Sequence, residues 1–531
     1  MAPQVLEALS GLTQSMSNEW FKQAGGWRGR MARWDWCAVG LACLGAGLRW
    51  WLVLGGGQDW FPDEKRFWWS GLVVYWFHEG HWRQALEPIL EWNQHPGFTC
   101  LGCLPVALHF AWAGWHGVAC AEVPFDETVR FSAAVLSLAS VISMVLVRSI
   151  VLRAGGSLLE ARLAMALMAG SNTMFYYARH VLPYDASLAL ALASLAVGMR
   201  AGGRWRLVLS GCLAGAAFMT YYGYWAIVVV ISVAVVTWKT TTITQVGRRA
   251  AWFIAGSLAW LAALVIGRFA VFGGSFLQGM MSFAGTVKKG AFAEGWSLPW
   301  AYLWHAEHAL LICWLAAIAA VLCAVARRRY VAGYAIAWVW MTGAVYLLLV
   351  LSSVALHQFV VYGRTARQLV PFLCMIGGVG GARLWEIARA NAKRWIIELG
   401  VLALVIQSAW NFRLPLRQWF PADVKRLVAA EYGGFSQALT VEGPIIKDEQ
   451  ATSPIAGSTT RYVLLNAQYL APVRGEKATP SGRVVLRFSH PTQFIPHQYE
   501  EFTPRERRIL RQTDISIRLI DVGEGTGSAN R

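Results

Sequence analysis

The sequence predicts an all-α polytopic membrane protein of about eleven transmembrane helices, followed by a small C-terminal α/β domain. The chain of 531 residues is 56% hydrophobic and only 15% charged, which is too little polar surface for a soluble protein of this length. Its 29 tryptophans suit the headgroup level of a bilayer, which indole prefers. The net charge of +17 falls in short basic clusters between apolar runs, so nucleic-acid binding is not indicated.

Apolar runs bounded by charged residues define the predicted crossings. The basic segment 1–33 has no signal-cleavage pattern, so we expect it to stay in the cytoplasm before an uncleaved first helix. Placing the later basic clusters inside puts the C-terminus outside. The transmembrane domain then covers 34–410, with crossings near 34–54, 131–147, 163–178, 185–199, 207–222, 224–238, 251–272, 303–325, 331–352, 370–388 and 395–410.

The apolar run 98–119 does not fit this count. A full crossing there would move Arg148, Arg153 and Arg162 outside, against the tendency of basic residues to stay in the cytoplasm. We therefore expect an amphipathic or re-entrant helix on the outer face, inside a long first outer loop at 55–130.

The segment 411–531 is polar and differs in kind from the rest of the chain. Alternating apolar and polar residues predict strands at 462–465, 483–488 and 515–520, and helices are expected near 422–430 and 504–512. This segment is long enough for a small α/β domain, which the topology places outside the cytoplasm.

Two neighbouring acidic residues, Asp63 and Glu64, stand among aromatic residues just after the first crossing. A carboxylate near apolar surroundings loses hydration, and this is costly unless the group binds a cation, a proton or a substrate. One of the two could act as a general base, or as a metal ligand, at the mouth of a membrane cavity. The alternative is a solvated loop pair that Lys65 and Arg66 neutralise.

Two later outer segments also carry charges. Arg179 and Asp185 lie where the third crossing ends and the fourth begins; an arginine there can pair with a phosphate, and the aspartate can position that arginine or a cation. Arg364 and Arg367 open the tenth crossing on one helix face and could grip a phosphate. The alternatives are interfacial anchoring for the first segment and lipid-headgroup contact for the second. His95 precedes the outer-face helix, where a histidine is more often a structural hydrogen-bonding group than a catalyst.

Motifs of several other chemistries are missing from the sequence. It has no Walker loop, no dinucleotide-binding glycine motif, no HExxH and no GxSxG in a suitable context. Cys100 and Cys103 have the spacing of a redox or zinc site, but no second pair accompanies them, so we expect buried apolar roles for both.

Five segments, in order, resemble the membrane glycosyltransferases of the C-type superfamily (GT-C), which includes protein O-mannosyltransferases and the aminoarabinose transferases of lipid A. They are PDEKRFWW at 62–69, NQHPGF at 93–98, VRFSAAVLSLASVISMVLVRSI at 129–150, YYARHVLPYDAS at 176–187 and GRTARQLVPFL at 363–373. The resemblance covers about residues 30–390 and implies a GT-C-like transmembrane domain.

The resemblance also implies roles for the charged residues. The catalytic acid of the family's first loop is matched by Asp63, with Glu64 beside it, and the acid of its second outer loop by Asp185. The family's phosphate-binding arginines are matched by Arg179 and by Arg364 or Arg367, and His95 is grouped with these substrate-binding residues. No Asp-x-Asp occurs at 185–187, so a divalent metal is possible but not implied, and no other cofactor is expected.

These implications predict an inverting enzyme that moves a hexose or pentose from a polyprenyl-phosphate donor to a glycan, lipid or protein acceptor. We expect it in the bacterial inner membrane, among membrane lipids, with its site facing the periplasm. One alternative is a transporter or flippase of lipid-linked sugars that is not an enzyme, and another is an assembly scaffold that binds through its C-terminal domain. A transporter usually carries ionisable residues at mid-membrane and paired repeats, whereas the charges singled out here cluster at one face.

Overall fold

Helices dominate the described part of the chain. The computed structural model describes residues 35–58, 62–90, 95–200, 203–277, 295–329, 331–390, 394–416, 424, 427, 439–442, 462–466, 483–489 and 516–521. We label the described helices in chain order as α1 Trp36–Leu54, α2 Trp68–His78, α3 Trp82–Leu90, α4 Pro96–Trp115, α5 Phe125–Ala154, α6 Leu158–Gly170, α7 Asn172–Tyr176, α8 Tyr184–Gly198, α9 Arg204–Thr220, α10 Trp225–Thr237, α11 Ile243–Phe272, α12 Leu298–Glu307, α13 Ala309–Ala326, α14 Gly333–Val350, α15 Gly363–Ala366, α16 Val370–Ala390 and α17 Arg394–Leu416. Short 3-10 helices cover Pro62–Phe67, Tyr177–Arg179, Tyr222–Tyr224 and Arg367–Leu369.

Seven helical segments in the described ranges are long and apolar enough to cross a membrane. A helix is the expected form for them, because backbone N–H and C=O groups in lipid must bond within their own segment. The chain is therefore a mostly helical, multi-pass integral membrane protein, as the sequence indicated. Every predicted crossing contains at least one helix, but the total of eleven stays a prediction. The seven segments are Trp36–Leu54, Pro96–Trp115, Phe125–Ala154, Ile243–Phe272, Ala309–Ala326, Gly333–Ala355 and Gly363–Ala390.

One end of the helical bundle is marked by Asp35. Its carboxylate caps α1 by accepting a hydrogen bond from Ala38 N at 3.3 Å, and it pairs with Arg148 and Arg162 at 2.7 and 2.8 Å. Burial alone would raise the pKa of Asp35, but hydrogen bonds from Arg162 and Arg148 lower it to about 2. The carboxylate thus joins the start of α1, the end of α5 and the start of α6 at one level. We call this level the Asp35 end.

Helices α1 and α5 run antiparallel. Toward one end of the pair, Arg148 of α5 contacts Asp35, the N-cap of α1. Toward the other end, Trp50 Nε1 of α1 donates a hydrogen bond to Ala134 O of α5 at 3.0 Å. At 1.5 Å per residue, the 19 residues of α1 extend about 28 Å, close to the thickness of a bilayer core. The opposite level, where α1 finishes at Leu54 and α5 begins, is called the Leu54 end.

Two of the predicted crossings contain a break, and the breaks meet at Glu307. The crossing at 163–178 is divided at Ser171 into α6 and α7, and that at 303–325 is divided into α12 and α13 at His308, which has a φ of 47°. Glu307 Oε1 accepts hydrogen bonds from Ser171 Oγ at 2.6 Å and Thr173 N at 2.7 Å, and its Oε2 accepts one from Asn172 N at 3.0 Å. A buried carboxylate thus caps the first turn of α7 from a distant helix.

Helix α4 covers the run that did not fit the count of crossings. Phe98 near its start shares a buried cluster with Val53 of α1, and His109 near its end is hydrogen-bonded through Nδ1 to Thr128 Oγ1 of α5 at 3.1 Å. Phe98 and His109 of α4 thus both contact residues of the Leu54 end. The helix is apolar on its exposed side rather than amphipathic, and whether it lies along the membrane stays a prediction. Its exposed residues include Leu101, Leu104, Leu108, Trp112 and Trp115.

Helices α9 and α11 approach each other through glycines. A Cβ added at Gly211 would lie 1.9 Å from Phe253 O, and one at Gly256 would lie 2.0 Å from Val208 O. Only glycine permits this backbone contact, which is a common way for membrane helices to associate.

The described strands after residue 438 form one sheet in the order β1-β2-β4-β3, where β1 is Leu439–Glu442, β2 Tyr462–Asn466, β3 Arg483–Ser489 and β4 Ser516–Asp521. The strands β1 and β2 are parallel, and the other two pairs are antiparallel. All three predicted strands are confirmed, and β1 was not predicted. The predicted helix at 504–512 and the N-terminal segment 1–33 lie outside the described residues, as does most of 422–430. A separate C-terminal domain stays a prediction.

Candidate functional site

Glu64 fastens the helical turn Pro62–Phe67 to the second predicted outer segment. Its side chain is 1% exposed, and Oε1 accepts a hydrogen bond from Val181 N at 2.8 Å. Its Oε2 lies 3.3 Å from His180 Nδ1. Asp63 precedes it in the same turn. Glu64 therefore has a structural task in joining two segments, and which residue of the acidic pair is the general base stays a prediction.

Arg367 and Asp185 form a buried ion pair. Arg367 Nη2 donates to Asp185 Oδ1, and both side chains lie in the protein interior. The guanidinium carbon of Arg367 also lies 4.8 Å from the ring centre of Tyr177. The sequence assigned Asp185 the task of orienting the arginine cluster, and this contact is of the kind that such a task requires.

Arg364 stands beside this pair. Its Nη1 donates to Tyr184 Oη at 3.1 Å, and its guanidinium carbon lies 4.5 Å from the ring centre of Tyr362. Its carbonyl oxygen accepts a hydrogen bond from Tyr224 Oη at 3.3 Å. The ring of Tyr184 lies 5.7 Å from the guanidinium of Arg364 and 5.9 Å from that of Arg367. One tyrosine therefore contacts both of the arginines that the sequence predicted to act together.

The segment 362–369 is held in place by its own polar residues. Thr365 Oγ1 donates to Tyr362 O at 2.7 Å, which closes the turn that begins α15. Gln368 Nε2 donates to Gly223 O at 3.1 Å, and its Oε1 accepts from Ile227 N at 2.9 Å. These bonds fix the position of the two arginines relative to the turn Tyr222–Tyr224.

Buried tyrosines surround the arginines. Tyr184 contacts Tyr177, Tyr221 and Tyr224, with ring centres 5.6, 4.8 and 6.4 Å apart. Aromatic faces stabilise cations, and tyrosine hydroxyls can donate to or accept from a phosphate or a sugar. We call these four residues the tyrosine wall.

His95 packs against the same wall. Its ring centre lies 5.3 Å from that of Tyr221 and 5.0 Å from that of Tyr222. Arg66 Nη1 lies 2.9 Å from His95 Nε2. Because a guanidinium can only donate, Nε2 accepts this hydrogen bond and carries no proton. His95 thus joins the turn that carries Asp63 to the tyrosine wall.

Arg179 binds the end of α1. Its Nη2 donates to Leu52 O at 3.2 Å, and its own carbonyl oxygen accepts a hydrogen bond from Gln58 Nε2 at 3.0 Å. Leu52 O is one of the last four carbonyls of α1, which have no partner within the helix. Arg179 therefore has a capping task that the sequence did not indicate, and its predicted contact with phosphate remains a prediction.

Three buried residues near this site were missed by the sequence analysis, namely Arg49, His180 and Glu307. Arg49 Nε donates to Ser140 Oγ at 2.9 Å from within α1. Ionisable residues inside apolar crossings are rare and are usually functional, so the positions of Arg49 and Glu307 in the apolar runs were the available signal. The signal for His180 was its place directly after Arg179.

The arrangement can bind an anion and position a base. The Leu54 end brings together two arginines, an acid that orients one of them, a tyrosine wall and the turn that carries Asp63. In the described ranges, no group of three or more His, Cys, Asp or Glu residues could hold a metal ion. A site of this composition favours chemistry in which a negatively charged leaving group is neutralised by fixed donors.

No protein-family profile matches the chain, and no curated protein sequence matches it. The resemblance to GT-C glycosyltransferases therefore depends on the five quoted segments alone.

Proposed function

We propose that this protein is an inverting membrane glycosyltransferase that moves a sugar from a polyprenyl-phosphate donor to a glycan, lipid or protein acceptor. The observation that carries the proposal is the buried contact of Arg367 with Asp185, next to Arg364 and the tyrosine wall. It unites two of the quoted segments, which are far apart in the chain, at the end of the bundle where α1 leads into the turn of Asp63.

The arginines suit the phosphate of such a donor. A guanidinium offers a planar fork of N–H donors that matches phosphate oxygens, and in a buried site these bonds are little weakened by water. Asp185 holds Arg367 in one orientation, so little reorganisation is needed when charge develops on the leaving phosphate. Arg364 and Arg367 would thus neutralise the polyprenyl phosphate as it departs.

Asp63 would act as the general base. An acceptor hydroxyl or amine attacks the anomeric carbon only as its proton is removed, and a carboxylate in a partly desolvated site can take that proton at neutral pH. Glu64, His180 and Val181 would position its turn against the second outer segment. Attack opposite the departing phosphate inverts the anomeric centre.

An apolar cavity of about 610 Å³ supports a lipid-linked donor. It lies between α9, α10 and α11 and is lined by side chains such as Phe218, Met219 and Leu261. Phe218 also contacts Tyr222, with ring centres 5.1 Å apart, so the cavity begins close to the aromatic residues of the site. An isoprenoid chain could lie there while its phosphate reaches the arginines.

The proposed location is the bacterial cytoplasmic membrane, with the Leu54 end toward the periplasm. The Asp35 end, with Arg148 and Arg162, would then face the cytoplasm, in accord with the usual distribution of basic residues. In this orientation the strands after residue 438 belong to an extracytoplasmic domain.

A transporter or flippase of lipid-linked sugars is the second candidate, and the break between α12 and α13 favours it. Discontinuous helices with buried polar groups often form substrate sites in transporters. Here the break carries His308 at a φ of 47° and the buried carboxylate of Glu307. That carboxylate is engaged with Ser171 and Thr173, which suggests a structural use for it.

One experiment separates the two functions. The purified protein is reconstituted in liposomes with radiolabelled polyprenyl-phosphate sugars, and a membrane extract is added as the source of acceptors. An enzyme releases polyprenyl phosphate and transfers the label to an acceptor. A transporter moves the intact donor between leaflets and releases none, and that result would replace the proposed function.

A further inference from the structure

Arg49 is a fully buried arginine within an apolar helix. It lies five residues before the end of α1, about 8 Å below the Leu54 end at 1.5 Å per residue. Its Nη1 donates to Gly45 O at 3.0 Å and its Nε to Ser140 Oγ at 2.9 Å, while the ring centre of Phe175 is 5.9 Å away. Glycosyl transfer as proposed above gives this residue no task.

A short chain of contacts connects Arg49 to Arg367. Ser140 Oγ, which accepts from Arg49, also donates to Met174 O at 3.3 Å, and Arg367 Nη2 lies 3.9 Å from Met174 Sδ. Arg49 is also within electrostatic reach of both Arg367 and Asp185. The two guanidinium groups therefore belong to one buried cluster with Asp185, whose carboxylate accepts a hydrogen bond from Arg367.

This cluster has more positive than negative charge. Its two guanidinium groups and one carboxylate leave a net charge of +1. Arg49 Nη2 and Arg367 Nε and Nη1 are buried and have no hydrogen-bond partner among the described residues. A buried charge without a partner is strongly unfavourable, and unsatisfied N–H groups add to that cost. Such a cluster is best explained if it binds an anion with several acceptor oxygens.

We propose that Arg49 and Arg367 together bind a phosphate group below the membrane surface, with Asp185 setting the orientation of Arg367. That the phosphate is carried by a polyprenyl chain rests on the proposed function. That the cluster binds an anion does not depend on it. A phosphate oxygen accepts from each guanidinium, and its negative charge offsets the excess positive charge. The ligand is a phosphate group, either esterified to a lipid or free in solution.

The test measures binding of a polyprenyl phosphate that carries no sugar to the full-length protein in nanodiscs. Uncharged polyprenol and inorganic phosphate serve as comparison probes. The variants are Arg49→Met and Arg49→Lys, and Arg148→Lys is the matched control, because Arg148 pairs with Asp35 at the opposite end. Melting temperatures are recorded with and without the probe.

We expect Arg49→Met to weaken binding of polyprenyl phosphate at least tenfold, while polyprenol binding and the Arg148→Lys variant stay unchanged. Without ligand, Arg49→Met should melt at the same or a higher temperature than the parent, because it removes the excess positive charge of the buried cluster. The stabilisation that the ligand produces should decrease, since it follows from ligand affinity. A purely structural role for Arg49 predicts the reverse, a lower melting temperature without ligand and unchanged affinity.

Arg49→Lys keeps the positive charge but loses the planar fork of N–H donors. It is the second variant if Arg49→Met does not fold, and we expect it also to bind polyprenyl phosphate more weakly than the parent. Inorganic phosphate that competes with the same dependence on Arg49 would support the site and identify free phosphate as its ligand. Unchanged affinity in the Arg49 variants would overturn the proposal. Absence of sugar transfer would defeat only the proposed function, because this probe has no sugar.

Discussion

Arg367 donates a hydrogen bond to the carboxylate of Asp185, although 182 positions separate the two residues in the chain. The contact joins the beginning of α8 to the segment just before α16, and both side chains are buried. It is an ion pair inside the protein rather than a pair of surface charges. Its removal should therefore destabilise the protein more than the removal of a surface pair does.

We expect Asp185→Asn to lower the free energy of unfolding by about 3–5 kcal/mol, because it leaves the buried charge of Arg367 without its acid. The measurement is thermal unfolding in detergent. Glu386→Gln is the matched control, since Glu386 pairs with Arg383 at 2.6 Å on the exposed surface. The control should change stability by less than about 1 kcal/mol. Equal losses of unfolding free energy in the two variants would mean that the buried pair stabilises the protein no more than the exposed pair does.

Arg367→Lys and Arg364→Lys should each weaken donor binding by about 1–3 kcal/mol, the scale of a hydrogen bond between charged groups. Lysine keeps the charge but cannot present two parallel N–H groups to one phosphate. Donor affinity is measured in nanodiscs, with melting temperature as the control for folding and Arg383→Lys as the exposed control. If both variants bind the donor as the parent does, these arginines do not bind its phosphate, and the phosphate site must be sought at Arg179.

The topology can be tested by cysteine labelling from either side of intact cells. Glu122→Cys, in the exposed segment before α5, should react with an impermeant reagent from outside. Leu158→Cys, exposed at the start of α6 beside the Asp35 end, should react only from inside. Labelling of position 158 from outside would mean that α4 crosses the membrane, and the count of crossings would change. The parent protein labelled in parallel corrects for its own exposed cysteines.

Asp35→Asn should cost about 1 kcal/mol at neutral pH, because it removes the charge that Arg148 and Arg162 share at a partly exposed site. The folded-state pKa of Asp35 is lowered to about 2, so its contribution is complete above its ordinary pKa and is lost as the pH falls toward 2. Melting curves between pH 7 and pH 3 of parent and variant test this. The difference between them should shrink with falling pH, and a constant difference would exclude the ion pairs as its cause.

The positions of the helices could be predicted from the sequence because the length and hydrophobicity of each apolar run are local properties. A helix in lipid is decided by a local pattern, and the strands at 462–466 and 483–489 follow from local alternation in the same way. The breaks at Ser171 and His308 could not be predicted, because they depend on the contact of Glu307 with residues about 135 positions earlier. No local pattern specifies such a contact.

The candidate site was predictable in composition but not in arrangement. Asp185, Arg364 and Arg367 are conspicuous where they interrupt apolar sequence, and they do come together. That Glu64 binds Val181, and that Arg179 caps α1, depends on tertiary contacts that spacing does not encode. Arg49 was missed because it lies within the apolar run of α1, and its contact with Ser140 is also a tertiary contact.

The role of Glu64 can be separated from that of Asp63. Glu64→Gln keeps an acceptor for Val181 N but removes the charge beside His180, so we expect lower thermal stability and a moderate loss of turnover. Complete loss of turnover in a stable Glu64→Gln protein, with near-normal turnover in Asp63→Asn, would transfer the role of general base to Glu64.

The most direct test of the account is the rate of polyprenyl-phosphate release by Asp63→Asn, measured with saturating donor and an acceptor extract. We expect donor affinity and melting temperature close to those of the parent, with turnover lower by about two to four orders of magnitude, the usual range for a lost general base. Release at the rate of the parent would contradict the account, because the proposed site would then contain no base at Asp63.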